Sequence, residues 1–180
     1  MREVGTNPTH GLAIGDLDVL IVEDNAGMRL LLRTLLNAFG VKSISQASDG
    51  SEALAMIPGG GHDLIITDWE MAPMKGGEFL RELRSLDNKP FCFIPVIVLT
   101  GHASRKLVQQ AFDNGATHLL VKPVTAAGLH HRIDWVLADD RPYEVVGAGY
   151  RQAIPTPAAH GGGEAKTGAL EPLRESWTLD

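Results

Sequence analysis

Five short apolar runs alternate with five helical patterns, and this alternation limits the chain to one class of fold. The runs are Asp18-Val19-Leu20-Ile21-Val22, Val41 to Ala47, Leu64-Ile65-Ile66-Thr67-Asp68, Pro95-Val96-Ile97-Val98-Leu99-Thr100 and Thr117 to Val121. Most are too short for helices and rich in β-branched residues, as buried strands are. The second alternates apolar and polar residues and reads as a more exposed strand. Pro95 opens its run, where a missing donor is tolerated. Between the runs, Met28, Leu31, Leu32, Leu35, Leu36 and Phe39 fall at helical spacing and stop at Gly40. Ser51 to Ile57 is a short helix ended by Pro58 and a glycine run. Phe79, Leu80, Leu83 and Leu86 mark a helix starting near Glu78. Two more span Ser104 to Asp113 and Ala126 to Ala138. Strands alternating with helices imply right-handed crossovers and a parallel sheet covered on both faces, an α/β doubly wound fold. Every strand-to-helix junction then lies on one edge of the sheet, where such folds bind ligands.

Length and charge bound the rest. With 44% hydrophobic residues, 180 residues supply one core and leave length over. The expected division is a flexible segment 1–15, a domain 16–140, and a Pro/Gly-rich tail 141–180 with no separate output domain. That tail is expected to dock in part through Tyr143, Tyr150 and Trp177. A net charge of −6 without a Lys/Arg cluster argues against nucleic acid as a partner. The one cysteine, Cys92, lies in the apolar run Phe91-Cys92-Phe93-Ile94 and reads as a buried small hydrophobe. It allows no internal disulfide, which suits a reducing compartment. No apolar run approaches the ~18 residues of a membrane span, and no signal segment opens the chain. A cytoplasmic protein with no membrane contact is the expectation.

The strand ends carry the chemistry. The first delivers Glu23 and Asp24, the third Asp68, the fourth Thr100, and the fifth runs into Lys122. If the sheet winds out in both directions, strands one and three are neighbours and three carboxylates meet. Like charges at that range raise pKa values or recruit a cation. An all-oxygen set open to water suits Mg²⁺, and no Cys/His cluster at ligand spacing competes for zinc. A carboxylate can attack a phosphoryl group to form an acyl phosphate. An ammonium such as Lys122 and a hydroxyl such as Thr100 suit the oxygens of that group. Each residue alone has a plainer reading: Asp68 as a turn or cap, Thr100 as a helix cap, Lys122 as surface, Glu23-Asp24 as a solvated loop.

In order, Val19-Leu20-Ile21-Val22-Glu23-Asp24, Asp68 with Trp69 and Met71, Val98-Leu99-Thr100-Gly101 and Val121-Lys122-Pro123 form a recognisable series. Residues 17–140 thereby resemble the receiver domain of two-component response regulators, the CheY-like family. The resemblance implies a five-stranded sheet of order 2-1-3-4-5 with five helices. It implies that Asp68 is the phosphoacceptor, supplied by a sensor histidine kinase or a histidine phosphotransfer protein. Mg²⁺ would be held by Glu23, Asp24, Asp68 and the backbone carbonyl of Glu70. Thr100 would be the switch hydroxyl and Lys122 the phosphoryl contact. A downstream protein partner would dock on the face of helix four, strand five and helix five, and a dimer through the helix four to helix five face would have Trp135 near it. Such a chain is expected to be a monomer or weak dimer, and no enzyme beyond autocatalytic phosphorylation and self-dephosphorylation.

Two features depart from the family pattern. Leu119 replaces the usual aromatic three residues before the lysine. The loop after Asp68 reads Met71-Ala72-Pro73, with its proline shifted by one. Glu70 and His102 occupy the flanking positions that tune dephosphorylation. The competing expectation is a phosphorylation-independent scaffold built on a receiver fold, which Leu119 favours and the Asp68, Thr100 and Lys122 set opposes. A phosphohydrolase of the haloacid-dehalogenase type is disfavoured, because Glu70 stands where that chemistry needs a second Asp.

Overall fold

The apolar runs pair edge to edge. In the computed structural model, which describes residues 5–153, β1 (Asp18–Val22), β2 (Ser43–Ala47), β3 (Leu64–Asp68), β4 (Val96–Thr100) and β5 (His118–Val121) form one sheet. Its order is β2-β1-β3-β4-β5, and all neighbours are parallel. The crossovers are α1 (Ala26–Ala38), α2 (Gly50–Gly60), α3 (Gly76–Leu83) and α4 (Arg105–Asp113), and α5 (Ala126–Ala138) follows β5. The expected order and helix number are both present.

Strand alternation builds two cores, one on each face. Leu20, Val22, Ile65, Val96, Val98 and Leu119 meet α2, α3 and α4 through Ala53, Ile57, Phe79, Leu80 and Ala111. Val19, Ile21, Leu64, Ile66, Ile97 and Leu99 meet α1 and α5 through Leu32, Leu36, Leu129 and Ile133. Both faces of β3 and β4 are therefore closed to solvent, whereas β2, at the sheet edge, is only half-buried.

Short polar residues set where the helices start. Asn25, Asp49, Ser104 and Thr125 each accept a backbone N–H from the first turn of α1, α2, α4 and α5. Gly40 and Gly115 close α1 and α4 with φ of 79° and 95°, a conformation that side chains with a Cβ rarely adopt.

Some boundaries differ from the sequence expectation. Helix α2 continues through Pro58 to Gly60 instead of stopping at Ile57. Pro58 removes one backbone donor, but its fixed φ is already helical and buried Ile57 anchors the last turn. Helix α3 begins at Gly76, two residues before Glu78, because Glu78 Oε2 accepts the Lys75 N–H at 3.0 Å and closes the first turn.

The segment expected to be a flexible lead-in is packed from residue 5 onward. Gly5 exchanges backbone hydrogen bonds with Tyr143, at 3.2 and 2.7 Å. The Asn7 amide donates to the carbonyls of Val136 and Asp139, both at 2.9 Å, and so satisfies the open end of α5. Asn7 and Thr9 are buried. Their burial is invisible in sequence because it rests on capping, not on apolar periodicity.

The first part of the expected tail is an antiparallel hairpin, β6 (Tyr143–Val146) with β7 (Gly149–Gln152). Tyr143 and Tyr150 dock as expected, packing with Cys92 and Phe93. Cys92 is buried, in a single 3-10 turn over Phe91–Phe93. Trp177 and the remainder of the tail, 154–180, lie outside the described residues, as do residues 1–4.

Candidate functional site

The register of the sheet assembles the site. Val22 pairs with Thr67, so the next residues on β1 and β3, Glu23 and Asp68, stand side by side. Asp68 pairs with Leu99, and Thr100 pairs with Val121, which places Thr100 and Lys122 on the same edge. Four strand ends thus converge through backbone pairing alone.

Carboxylate oxygens of Glu23, Asp24 and Asp68 lie within 4.8 Å of one another. Glu23 and Asp68 are buried, whereas Asp24 is open to solvent. The Lys122 ammonium bridges two of them, with Nζ at 3.1 Å from Asp68 Oδ1 and 3.1 Å from Glu23 Oε2. Asp68 Oδ1 also accepts the Trp69 N–H at 2.9 Å, and Glu23 Oε1 accepts the Asn25 N–H at 3.2 Å. Burial and the facing Asp68 charge hold the Glu23 carboxyl above its usual range, although Lys122 opposes the shift. Burial pulls on the Lys122 ammonium in the other direction. Its bonds to Asp68 and Glu23 outweigh this and leave its pKa raised. One ammonium is therefore not enough for three carboxylates, and this surplus of negative charge is what a hard divalent cation would relieve.

Thr100 sits at the end of β4 with its hydroxyl engaged. Oγ1 donates to the His102 carbonyl at 3.1 Å and accepts the His102 N–H at 3.2 Å. The Glu70 carboxylate turns to Lys75, 3.7 Å away, and both side chains are exposed. Leu119 is buried in the core on the α2–α3–α4 side of the sheet.

Two positioning residues escaped the sequence reading. The Arg29 guanidinium donates from Nη1 to the backbone carbonyls of Glu23, at 2.5 Å, and Asp24, at 3.0 Å, and so fixes the loop that carries both carboxylates. A signal existed: Arg29 lies in the first turn of α1, where the helix dipole disfavours a cation. Gly76 is the other. A Cβ there would press on the Asp68 carbonyl oxygen, so α3 can approach the site only through glycine.

Comparison with known proteins agrees with this fold. The family model described as "Response regulator receiver domain" matches residues 19–134. The chain is 34% identical over 119 residues to the chemotaxis protein CheY-3 of Vibrio cholerae, covering 66% of this chain and 90% of that protein. It is 34% identical over 118 residues to the chemotaxis protein CheY of Pseudomonas aeruginosa, covering 66% and 94%. Among solved structures, V. cholerae CheY4 superposes with a TM-score of 0.64 at 33% identity, covering 68% of this chain and 99% of that one. A receiver domain of a signal transduction histidine kinase from Syntrophus aciditrophicus gives 0.60 at 28% identity, covering 68% and 90%. CheY-like receivers work with histidine kinases and downstream proteins. The carboxylate cluster, the lysine across it and the strand order all fall within the matched span, and the chain belongs to the response regulator receiver domain family, with a CheY-like fold and a place in two-component signalling.

Proposed function

We propose that Asp68 accepts a phosphoryl group from a phosphohistidine and that the protein switches a binding surface in response. The observation that carries this reading is Lys122 Nζ at 3.1 Å from both Asp68 and Glu23. Lys122 and the Trp69 N–H both bind Oδ1 of Asp68, which leaves Oδ2 to attack phosphorus. The bond between phosphorus and the donor imidazole nitrogen breaks, and its electron pair leaves with the ring. Lys122 then swings its charge onto a phosphoryl oxygen. Glu23, Asp24, Asp68 and the backbone carbonyl of Glu70 are the groups that would hold Mg²⁺, which supplies charge neutralisation on the transferring oxygens when bound.

The Thr100 hydroxyl is the switch. Turning to a phosphoryl oxygen costs it the His102 carbonyl, and His102 belongs to the loop that opens α4. The altered surface is the α4–β5–α5 face, and its occupant is a downstream protein. The donor is a sensor histidine kinase or a histidine phosphotransfer protein, and a cytoplasmic setting belongs to the same reading. Leu119 favours the second reading, a scaffold that works without phosphate, because no aromatic ring stands there to follow Thr100.

Incubation with acetyl phosphate, with and without Mg²⁺, followed by intact mass, separates the two. A single Mg²⁺-dependent phosphate adduct that is absent in Asp68→Ala is the expected result. Folded protein that takes up no phosphate with Mg²⁺ present overturns the phosphoacceptor reading.

A further inference from the structure

At the pole away from Asp68, the hairpin leans over the ends of α3 and α4 and forms with them a half-open cavity of about 240 Å³. Arg81, Arg84 and Arg151 line it, with Asp113 as a lining carboxylate and Val146 and Ala148 as an apolar wall. Arg151 pairs with Asp113 at 3.0 Å, which leaves two guanidinium charges in excess.

Arg84 is the unusual member. It is 2% exposed, and no carboxylate pairs with it among the described residues. Its Nε donates to the Gly115 carbonyl at 3.0 Å and its Nη1 to the Cys92 and Ile94 carbonyls at 2.7 and 2.8 Å. Its Nη2 has no hydrogen-bond partner among the described residues, and the guanidinium carbon lies 5.1 Å from the centre of the Tyr143 ring. Buried charges are ordinarily paired, since carbonyl dipoles offset the loss of water only in part. The positive charge of Arg84 therefore adds to the field at the neighbouring cavity. The whole chain carries a net charge of −6, so a local excess of cations is not a by-product of composition.

We infer that this cavity binds a small ligand carrying an oxyanion and a short apolar body, with Arg81 and Arg151 contacting the anion, Arg84 attracting it from below, and Val146 and Ala148 packing on the apolar part. The inference is independent of the phosphoacceptor reading, since none of these residues touches the carboxylate cluster.

The test is an NMR titration of the ¹⁵N-labelled full chain without divalent cation. Separate arms use inorganic phosphate and isovalerate, with chloride at matched ionic strength as the control. Saturable shifts in the Arg81, Gly149 and Tyr150 amides are expected, absent with chloride. The Arg81→Gln/Arg151→Gln double variant should bind about tenfold more weakly or worse, since each charge-assisted contact is strong. The two arms identify the ligand. Tighter isovalerate binding assigns a carboxylate on an apolar body, and phosphate binding alone discards the apolar wall. Linear shifts that chloride reproduces, shifts confined to Glu23, Asp68 and Lys122, or unchanged affinity in a folded double variant overturn the proposal. Arg84 is left unaltered because its bonds to three carbonyls hold the fold.

Discussion

Glu23 sits where its ionised form costs stability. Its buried carboxylate faces Asp68, and its raised pKa means that ionisation at neutral pH costs folding free energy. In metal-free buffer, Glu23→Gln should gain about 1 kcal/mol in urea unfolding, as removal of functional strain commonly does. The same variant should lose most of the rise in Tm that added Mg²⁺ gives the parent chain. A parent Tm insensitive to Mg²⁺ would argue against a cation at this cluster. Arg29→Ala tests the support beneath it. Losing two charge-assisted bonds to the Glu23 and Asp24 carbonyls should cost about 2 kcal/mol and weaken the Mg²⁺ response. Asp68, Glu23, Asp24, Thr100 and Lys122 were legible as chemistry because each polar residue follows an apolar run. Arg29 was not, because its partners are backbone atoms, and backbone atoms leave no trace in a pattern of side chains.

The helices and the hairpin show how closely elements approach one another. At Gly76 an added Cβ would collide with the Asp68 carbonyl, while at Gly59 nothing lies within 4 Å. Gly76→Ala should therefore cost about 3 kcal/mol and Gly59→Ala should be neutral or gain a few tenths, as Ala favours a helix over Gly. Equal midpoints in urea for the two variants would contradict this packing. In the hairpin, the Tyr143 ring is fully buried yet its hydroxyl has no partner among the described residues. Tyr143→Phe removes an unsatisfied buried group and should hold or raise stability, whereas Tyr143→Ala empties the pocket over Cys92 and should cost about 3 kcal/mol. The strands and helices were legible from periodicity, with errors confined to their ends, as at Pro58 and Gly76. The order of the hairpin was not legible, since Gly147 and Gly149 read as tail until Tyr143 and Tyr150 find their site.

Across the whole molecule, acid should loosen the far edge of the sheet before it dissolves the core. His118 on β5 is buried beside Trp135, with ring centroids 5.5 Å apart. Burial lowers its pKa from 6.5 to about 4, helped by the positive charge of Arg141, Arg132 and His131 and opposed by Asp139. The folded state therefore holds this ring neutral while the unfolded chain protonates it. Stability from His118 is complete above about pH 6.5 and is lost as pH falls toward about 4. The loss should reach about 3 kcal/mol across that window. Urea midpoints measured at pH 7 and pH 4.5 should converge in His118→Gln relative to the parent. A parent and variant with the same pH slope would remove His118 as the cause.

The sequence by itself determined the alternation of strand and helix, and with it a parallel sheet whose polar strand ends share one edge. Local pattern sufficed there, because each apolar run must be buried and each crossover has one favoured hand. Tertiary structure alone decided what depends on distance between remote residues. It set Lys122 between Asp68 and Glu23, made Asn7 the cap of α5, and buried Arg84 under the hairpin with no carboxylate among the described residues to pair with it. These contacts join segments far apart in the chain through single polar atoms, and a single polar atom has no periodicity to read.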